Sequence, residues 1–190
     1  MRVKDEIKQE AIIQATVDLV NEIGFVSSSV AKIAKRANVS PATIYIYYQN
    51  KEDLLVSTYM QIKTCLGQAL MDHFDPSFPV RDALMNAGIN LFNYISKHAD
   101  MFYFTEQFAN SPYNDLVDKT EIEQVFQPLF DMLKRGIKEK IIKDVPVELL
   151  HSHLYYPIFN LANPRLNPNF KASPKDIELA MSMAWDAIKL

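Results

Sequence analysis

Cysteine, glycine and tryptophan are scarce in this 190-residue chain: it has one Cys, four Gly and one Trp. A lone Cys65 excludes both an internal disulfide framework and a thiolate-rich zinc site, and a reducing compartment is the simpler expectation. Four Gly and ten Pro are too few for collagen or a low-complexity linker. Long apolar runs are also missing near the start. In MRVKDEIKQEAIIQATVDLV, Gln14, Thr16 and Asp18 interrupt the core that a signal peptide or membrane span would need. The chain is therefore expected to be soluble and cytoplasmic, with no membrane partner. A hydrophobic content of 48% excludes disorder and fits one compact domain or two small coupled ones.

One further absence is local. Gly24 to Lys51 contains Lys32, Lys35, Arg36 and Lys51 but no acid, so this segment carries +4 within a chain of net charge −3 and leaves −7 elsewhere. Four clustered cations suit a polyanion, although charges on a solvated helix face would give the same count.

The apolar spacing is helical from end to end, without period-2 alternation bounded by hairpin turns, so the fold class is all-α. Ile12, Ala15, Leu19 and Ile23 form one stripe of a helix over residues 5–23, and Gly24 stands where a left-handed C-cap belongs. Ser28 or Ser29 caps a second helix with Val30, Ile33, Ala34 and Ala37 inward. After Asn38 and Val39, Ser40-Pro41 supplies an N-cap followed by proline at the first helical position, so a third helix starts almost at once. Two short helices joined this tightly form a helix-turn-helix. Asn38 tolerates the left-handed backbone that such a turn demands.

Asn50 caps a fourth helix, with Asp53 placed for a capping-box-like exchange. It is expected to run about 23 residues, or about 35 Å, to Asp75-Pro76 and to connect two bodies. Further helices are expected near 80–97, 99–109, 113–141, 146–162 and 174–190, with Pro128 and Pro157 kinking or breaking two of them. The division expected is a head over residues 1–50 and a larger helical domain over 51–190.

On the third helix Ile44 and Tyr48 point inward with Val39. Ala42, Thr43 and Ile46 project outward, flanked by Tyr45 and Tyr47. Thr43 offers a hydroxyl and a methyl, Ala42 can touch a thymine methyl, Tyr45 and Tyr47 can donate to phosphate, and Lys51 can pair with another phosphate. The run Ser29-Val30-Ala31-Lys32-Ile33-Ala34, followed by Asn38-Val39-Ser40-Pro41-Ala42-Thr43-Ile44-Tyr45-Ile46-Tyr47-Tyr48-Gln49-Asn50-Lys51-Glu52-Asp53-Leu54-Leu55, resembles the TetR (tetracycline-repressor-like) family of bacterial transcriptional regulators. The motif covers roughly the first third of the chain, and the remainder agrees in length and all-helical layout. Asn38 replaces a frequent glycine of the family and Tyr48 a frequent phenylalanine.

The resemblance implies DNA contacts from Ser28, Ser29, Lys32, Pro41, Ala42, Thr43, Tyr45, Tyr47 and Lys51, and a pseudo-palindromic double-stranded operator bound by a homodimer. It implies repression relieved by a small effector held between helices 4 and 7, with no cofactor or metal. The aromatic concentration from Met101 to Tyr113 and beyond reads either as plain core or as the lining of that pocket. In the second case Tyr59, Ile62, Phe102, Tyr103, Phe108, Phe126 and Tyr155 would favour an apolar or aromatic molecule.

The last helix has 10 apolar residues among the 14 from Ile177 to Leu190, and the stretch Val147 to Ala162 is similarly rich. Such helices bury more than one side, either within one subunit or against a symmetry copy in a four-helix bundle. The family resemblance favours the dimer, with Leu150, Leu154, Ile158, Ile177, Met181, Ala184, Trp185 and Ile188 at its interface.

No catalytic constellation assembles, so an enzyme is not expected. His151 and His153 lie two apart on a helix and face about 200° from each other, which does not suit one metal. Cys65 reads as a small buried residue. The competing class is a non-DNA protein-interaction module on the same fold, which leaves the acid-free +4 segment unexplained.

Overall fold

The computed structural model describes residues 2–166 and 168–190, and among these it is helical with no strand. The helices are α1 (Arg2–Ser27), α2 (Val30–Arg36), α3 (Pro41–Tyr47), α4 (Lys51–Leu70), α5 (Val80–Lys97), α6 (Ala99–Ala109), α7 (Lys119–Lys138), α8 (Val147–Ala162) and α9 (Pro174–Ile188). A 3₁₀ helix, Pro112–Leu116, lies between α6 and α7. No described helix is long and apolar enough to cross a membrane.

Two compact units are distinguished. The first takes residues up to Lys63 together with Asp100–Asp118, and the second takes Thr64–Ala99 with Lys119–Leu190. The first unit holds a core of Ile12, Ala15, Leu19, Ile33, Ala34, Ile44, Tyr48 and Leu54, contributed by α1 to α4. It also contains α6, which α1 grips through amides: Gln14 donates to the Asp100 carboxylate at 2.6 Å, Asn21 to the Asp100 carbonyl at 2.8 Å, and Gln107 to Asn21 at 2.7 Å. Beside this network the Phe25 ring meets Phe104, Phe108 and Tyr113. In the second unit α5 packs against α7, α8 and α9. Its close approaches are set by small residues: a Cβ on Gly88 would fall 2.3 Å from the Met181 sulfur, and one on Gly67 would fall 2.0 Å from Val125.

Several boundaries differ from expectation. Gly24, at φ 76° and ψ 170°, does not end α1 as a left-handed cap; it breaks the helix, which resumes for one more turn to Ser27. α4 spans 20 residues, about 30 Å, and stops at Leu70 rather than at Asp75-Pro76, with His73 at positive φ in the turn that follows. The helix expected over 113–141 is two elements, because Pro112 opens a 3₁₀ turn that ends in extended backbone at Val117 before α7 begins. Pro128 and Pro157 lie inside α7 and α8 without ending them. Cys65 is exposed, not buried.

Asn38 has φ 54°, as the tight turn between α2 and α3 requires. Asn38→Ala is therefore expected to cost about 1 kcal/mol and Asn38→Gly to leave stability unchanged or slightly higher, both read from urea unfolding midpoints.

Candidate nucleic-acid interface

Two serine caps set the geometry of the helix-turn-helix. The Ser29 hydroxyl accepts from the Lys32 backbone N–H at 3.3 Å and starts α2. The Ser40 hydroxyl accepts from the Thr43 N–H at 3.1 Å and starts α3, with Pro41 at its first position. At the next junction the Asn50 side chain accepts from the Asp53 N–H, while the Asp53 carboxylate accepts from the Gln49 N–H at 2.7 Å. The exchange expected there is present, shifted by one residue from a capping box.

With its ends fixed, α3 turns Ile44 and Tyr48 into the core and leaves Pro41, Ala42, Tyr45 and Ile46 exposed, with Thr43 and Tyr47 half-buried. Ile44 is 0% and Ile46 75% exposed, two residues apart on one helix. The Thr43 and Ser40 hydroxyls lie 2.9 Å apart. The Tyr47 hydroxyl donates to Asp5 at 3.2 Å, and partial burial followed by that carboxylate holds its pKa above the usual phenol range. Burial, then Asp53 and Tyr47, pushes Tyr48 up as well.

Two of the segment's lysines are tied to backbone carbonyls. Lys32 Nζ donates to the Ser27 carbonyl at 3.0 Å and Lys51 Nζ to the Phe25 carbonyl. No carboxylate pairs with Lys32, Lys35 or Lys51 among the described residues. Arg36 is different: Glu22, from outside the acid-free segment, takes it in a two-pronged pair whose hydrogen bonding lowers the Glu22 pKa. The local excess of positive charge is therefore nearer three than four. Ser28 is not on this surface. It is fully buried and its hydroxyl donates to the Gly24 carbonyl at 2.7 Å, so it shapes the turn before α2 and is withdrawn from the contact set.

Residues 12–58 match the family described as bacterial regulatory proteins, tetR family, and residues 85–189 match the tetracyclin repressor-like C-terminal domain. The chain belongs to the TetR family. A solved TetR family transcription regulator from Marinobacter aquaeolei VT8 is 34% identical, with a TM-score of 0.92 over 100% of this chain and 99% of that one. An uncharacterized HTH-type transcriptional regulator of Haemophilus influenzae is 24% identical over 181 residues, 95% of each chain. The fatty acid metabolism regulator protein of Bacillus subtilis is 46% identical, but over 54 residues, 28% of each chain. This TetR protein is thus a DNA-binding helix-turn-helix transcriptional regulator, and the reading as a non-DNA interaction module is not favoured.

The pocket residues named from sequence fall in both units of the TetR fold. In the first unit Tyr59 and Phe108 stack, with ring centroids 4.3 Å apart and 13° between planes, and Ile62 and Phe102 are buried while Tyr103 is half-buried. In the second unit Phe126 is half-buried, and Tyr155 is buried with its hydroxyl donating to the Leu84 carbonyl at 3.3 Å.

The interface residues named from sequence require correction. Leu150, Leu154, Ile158, Ile177, Met181, Ala184, Trp185 and Ile188 are all buried within the chain's own second unit, where α5, α8 and α9 pack together, and are not available to another copy. Both helices carry two apolar stripes, and periodicity does not reveal which one turns inward. The stripe left outside is Leu149 and Tyr156 on α8 with Leu179 and Met183 on α9. Their spacing, seven residues on α8 and four on α9, was the signal available in the sequence.

Proposed function

We propose that this TetR-family regulator is a cytoplasmic repressor. On this reading it binds a pseudo-palindromic operator as a homodimer and is released by a small apolar or aromatic effector. The observation that carries the DNA reading is the side of α3 left out of the core, with Ala42 and Tyr45 exposed and Thr43 half-buried, in a unit whose Ser29, Lys32, Tyr47 and Lys51 are proposed to flank it. Residues at the start of such a helix meet base edges, and the flanking hydroxyls and ammonium groups fix phosphates. Anisotropy titration of a labelled duplex from the region upstream of its own gene, at two salt concentrations, tests this. The expected result is tight binding that weakens steeply with salt; weak, salt-insensitive binding would sink it.

The dimer is proposed to form through the apolar stripe that α8 and α9 leave outside. Leu179 is 60% and Met183 65% exposed, so Leu179→Arg/Met183→Arg should leave the fold intact and convert the dimer to a monomer, measured by light scattering after size exclusion. Because two recognition helices about 34 Å apart read one operator, operator affinity should fall with the dimer. A variant that stays dimeric would place the interface elsewhere.

Release is proposed to follow from an effector acting on α4, whose N-terminal turns belong to the DNA-reading unit. Tyr59, on α4, and Phe108, stacked on it, are both buried and are proposed to meet such a molecule when it opens a place among them. A coupling of about 1–3 kcal/mol is expected between effector and operator, and equal effector affinity for free and operator-bound protein would remove this mechanism.

A further inference from the structure

α3 reads PATIYIY, and none of its seven residues is an Arg, Lys, Asn, Gln, Asp or Glu. Those are the side chains that pair with base edges by directed hydrogen bonds: Arg or Lys with guanine, Asn or Gln with adenine, Asp or Glu with cytosine. Gln49 follows only beyond Tyr48, where the backbone has left the helix at φ −133° and ψ 134°. A reading helix without such groups has hydroxyls and apolar surface to offer. Of its hydroxyls, that of Thr43 already meets Ser40 at 2.9 Å and that of Tyr47 donates to Asp5 at 3.2 Å.

The outer side of α3 is correspondingly apolar. Ile46 is 75% and Tyr45 56% exposed, and Ala42, also exposed, stands four residues before Ile46 on the same face. Thr43, three residues before Ile46, adds a methyl. The core of this unit takes Ile44 and Tyr48 from the opposite side of the helix and leaves Ile46 out. In the major groove the group that an aliphatic side chain recognises is the C5-methyl of thymine, which adenine, guanine and cytosine lack.

We propose that α3 reads thymine methyl groups and that Ile46 is the residue that sets this preference, so that each operator half-site carries a thymine where Ile46 meets it. This rests on the DNA reading above and supplies the base chemistry which that reading leaves open. Ile46 lies outside the contact set implied by the family resemblance.

The test uses the whole protein and a duplex that the wild type itself enriches from a random-sequence pool. Each thymine is replaced in turn by deoxyuridine, which removes the methyl and keeps every hydrogen-bonding group. At one thymine in a half-site the replacement should weaken wild-type binding about fourfold, and about fifteenfold when made in both half-sites, as the loss of one buried methyl per contact gives. In Ile46→Ala the same replacement should change affinity by less than about 1.5-fold, because the partner of the methyl is already gone, while Ile46→Val keeps most of the effect. Ile46 is outside the core, so both variants should melt like the wild type. Failure to enrich any duplex would overturn the DNA reading and this proposal together. Enrichment of a duplex with no thymine sensitive to loss of its methyl, or with a sensitivity that Ile46→Ala retains in full, overturns this proposal and leaves the DNA reading standing.

Discussion

Thr43→Ala/Tyr45→Ala should bind operator duplex at least about 100-fold more weakly than the wild type while melting at the same temperature. The affinity loss follows from counting contacts: each alanine removes one polar or apolar contact worth about 1 kcal/mol, and a dimer loses both contacts twice. Stability should hold for a separate reason. The cap of α3 is the bond from the Thr43 backbone N–H to Ser40, which alanine retains, and the Tyr45 side chain is exposed and has no hydrogen-bond partner among the described residues. Anisotropy titration gives the first quantity and thermal unfolding the second. Equal binding by wild type and variant would show that α3 is not the reading helix.

The second large effect lies one residue along the helix and on its opposite side. Ile44→Ala should destabilise the first unit by about 2–5 kcal/mol, because Ile44 is fully buried between Ile33, Ala34 and the α1 stripe and its removal leaves a cavity. A domain's whole stability is about 5–15 kcal/mol, so loss of ordered DNA binding at moderate temperature should follow. Ile46→Ala, on the exposed face of the same helix, should change stability by less than about 0.5 kcal/mol. Urea denaturation of the two variants measures the contrast, and comparable losses in both would contradict the assigned orientation of α3.

These two isoleucines show why the head was legible in the sequence. Ser29, Asn38, Ser40 and Pro41 act within four residues of themselves, through caps and one left-handed turn, and so their consequences can be read from spacing alone. Once the ends of α3 are fixed, its 3.6-residue period decides that Ile44 faces in and Ile46 out. α5 and α6 were legible over 80–97 and 99–109 for similar reasons, since proline, histidine and asparagine mark their ends. The motif run through Leu55 carried the family for the same local reasons.

Interactions between distant segments were not legible. Glu22 neutralises Arg36 across 14 residues, and Gln14 and Asn21 tie α1 to Asp100 across about 80, so neither the true charge of the head nor the inclusion of α6 in its unit leaves a local trace. The same limit applies to the choice of faces on α8 and α9. Their sequence determined that each is a helix with apolar residues on more than one side; only packing against α5 decided that Leu154 and Met181 are core and that Leu179 and Met183 are left outside. Backbone caps and periodicity act between neighbours in the chain. The choice among equally apolar faces, and the pairing of charges, depends on which surfaces exclude water together, and that is settled when the helices meet.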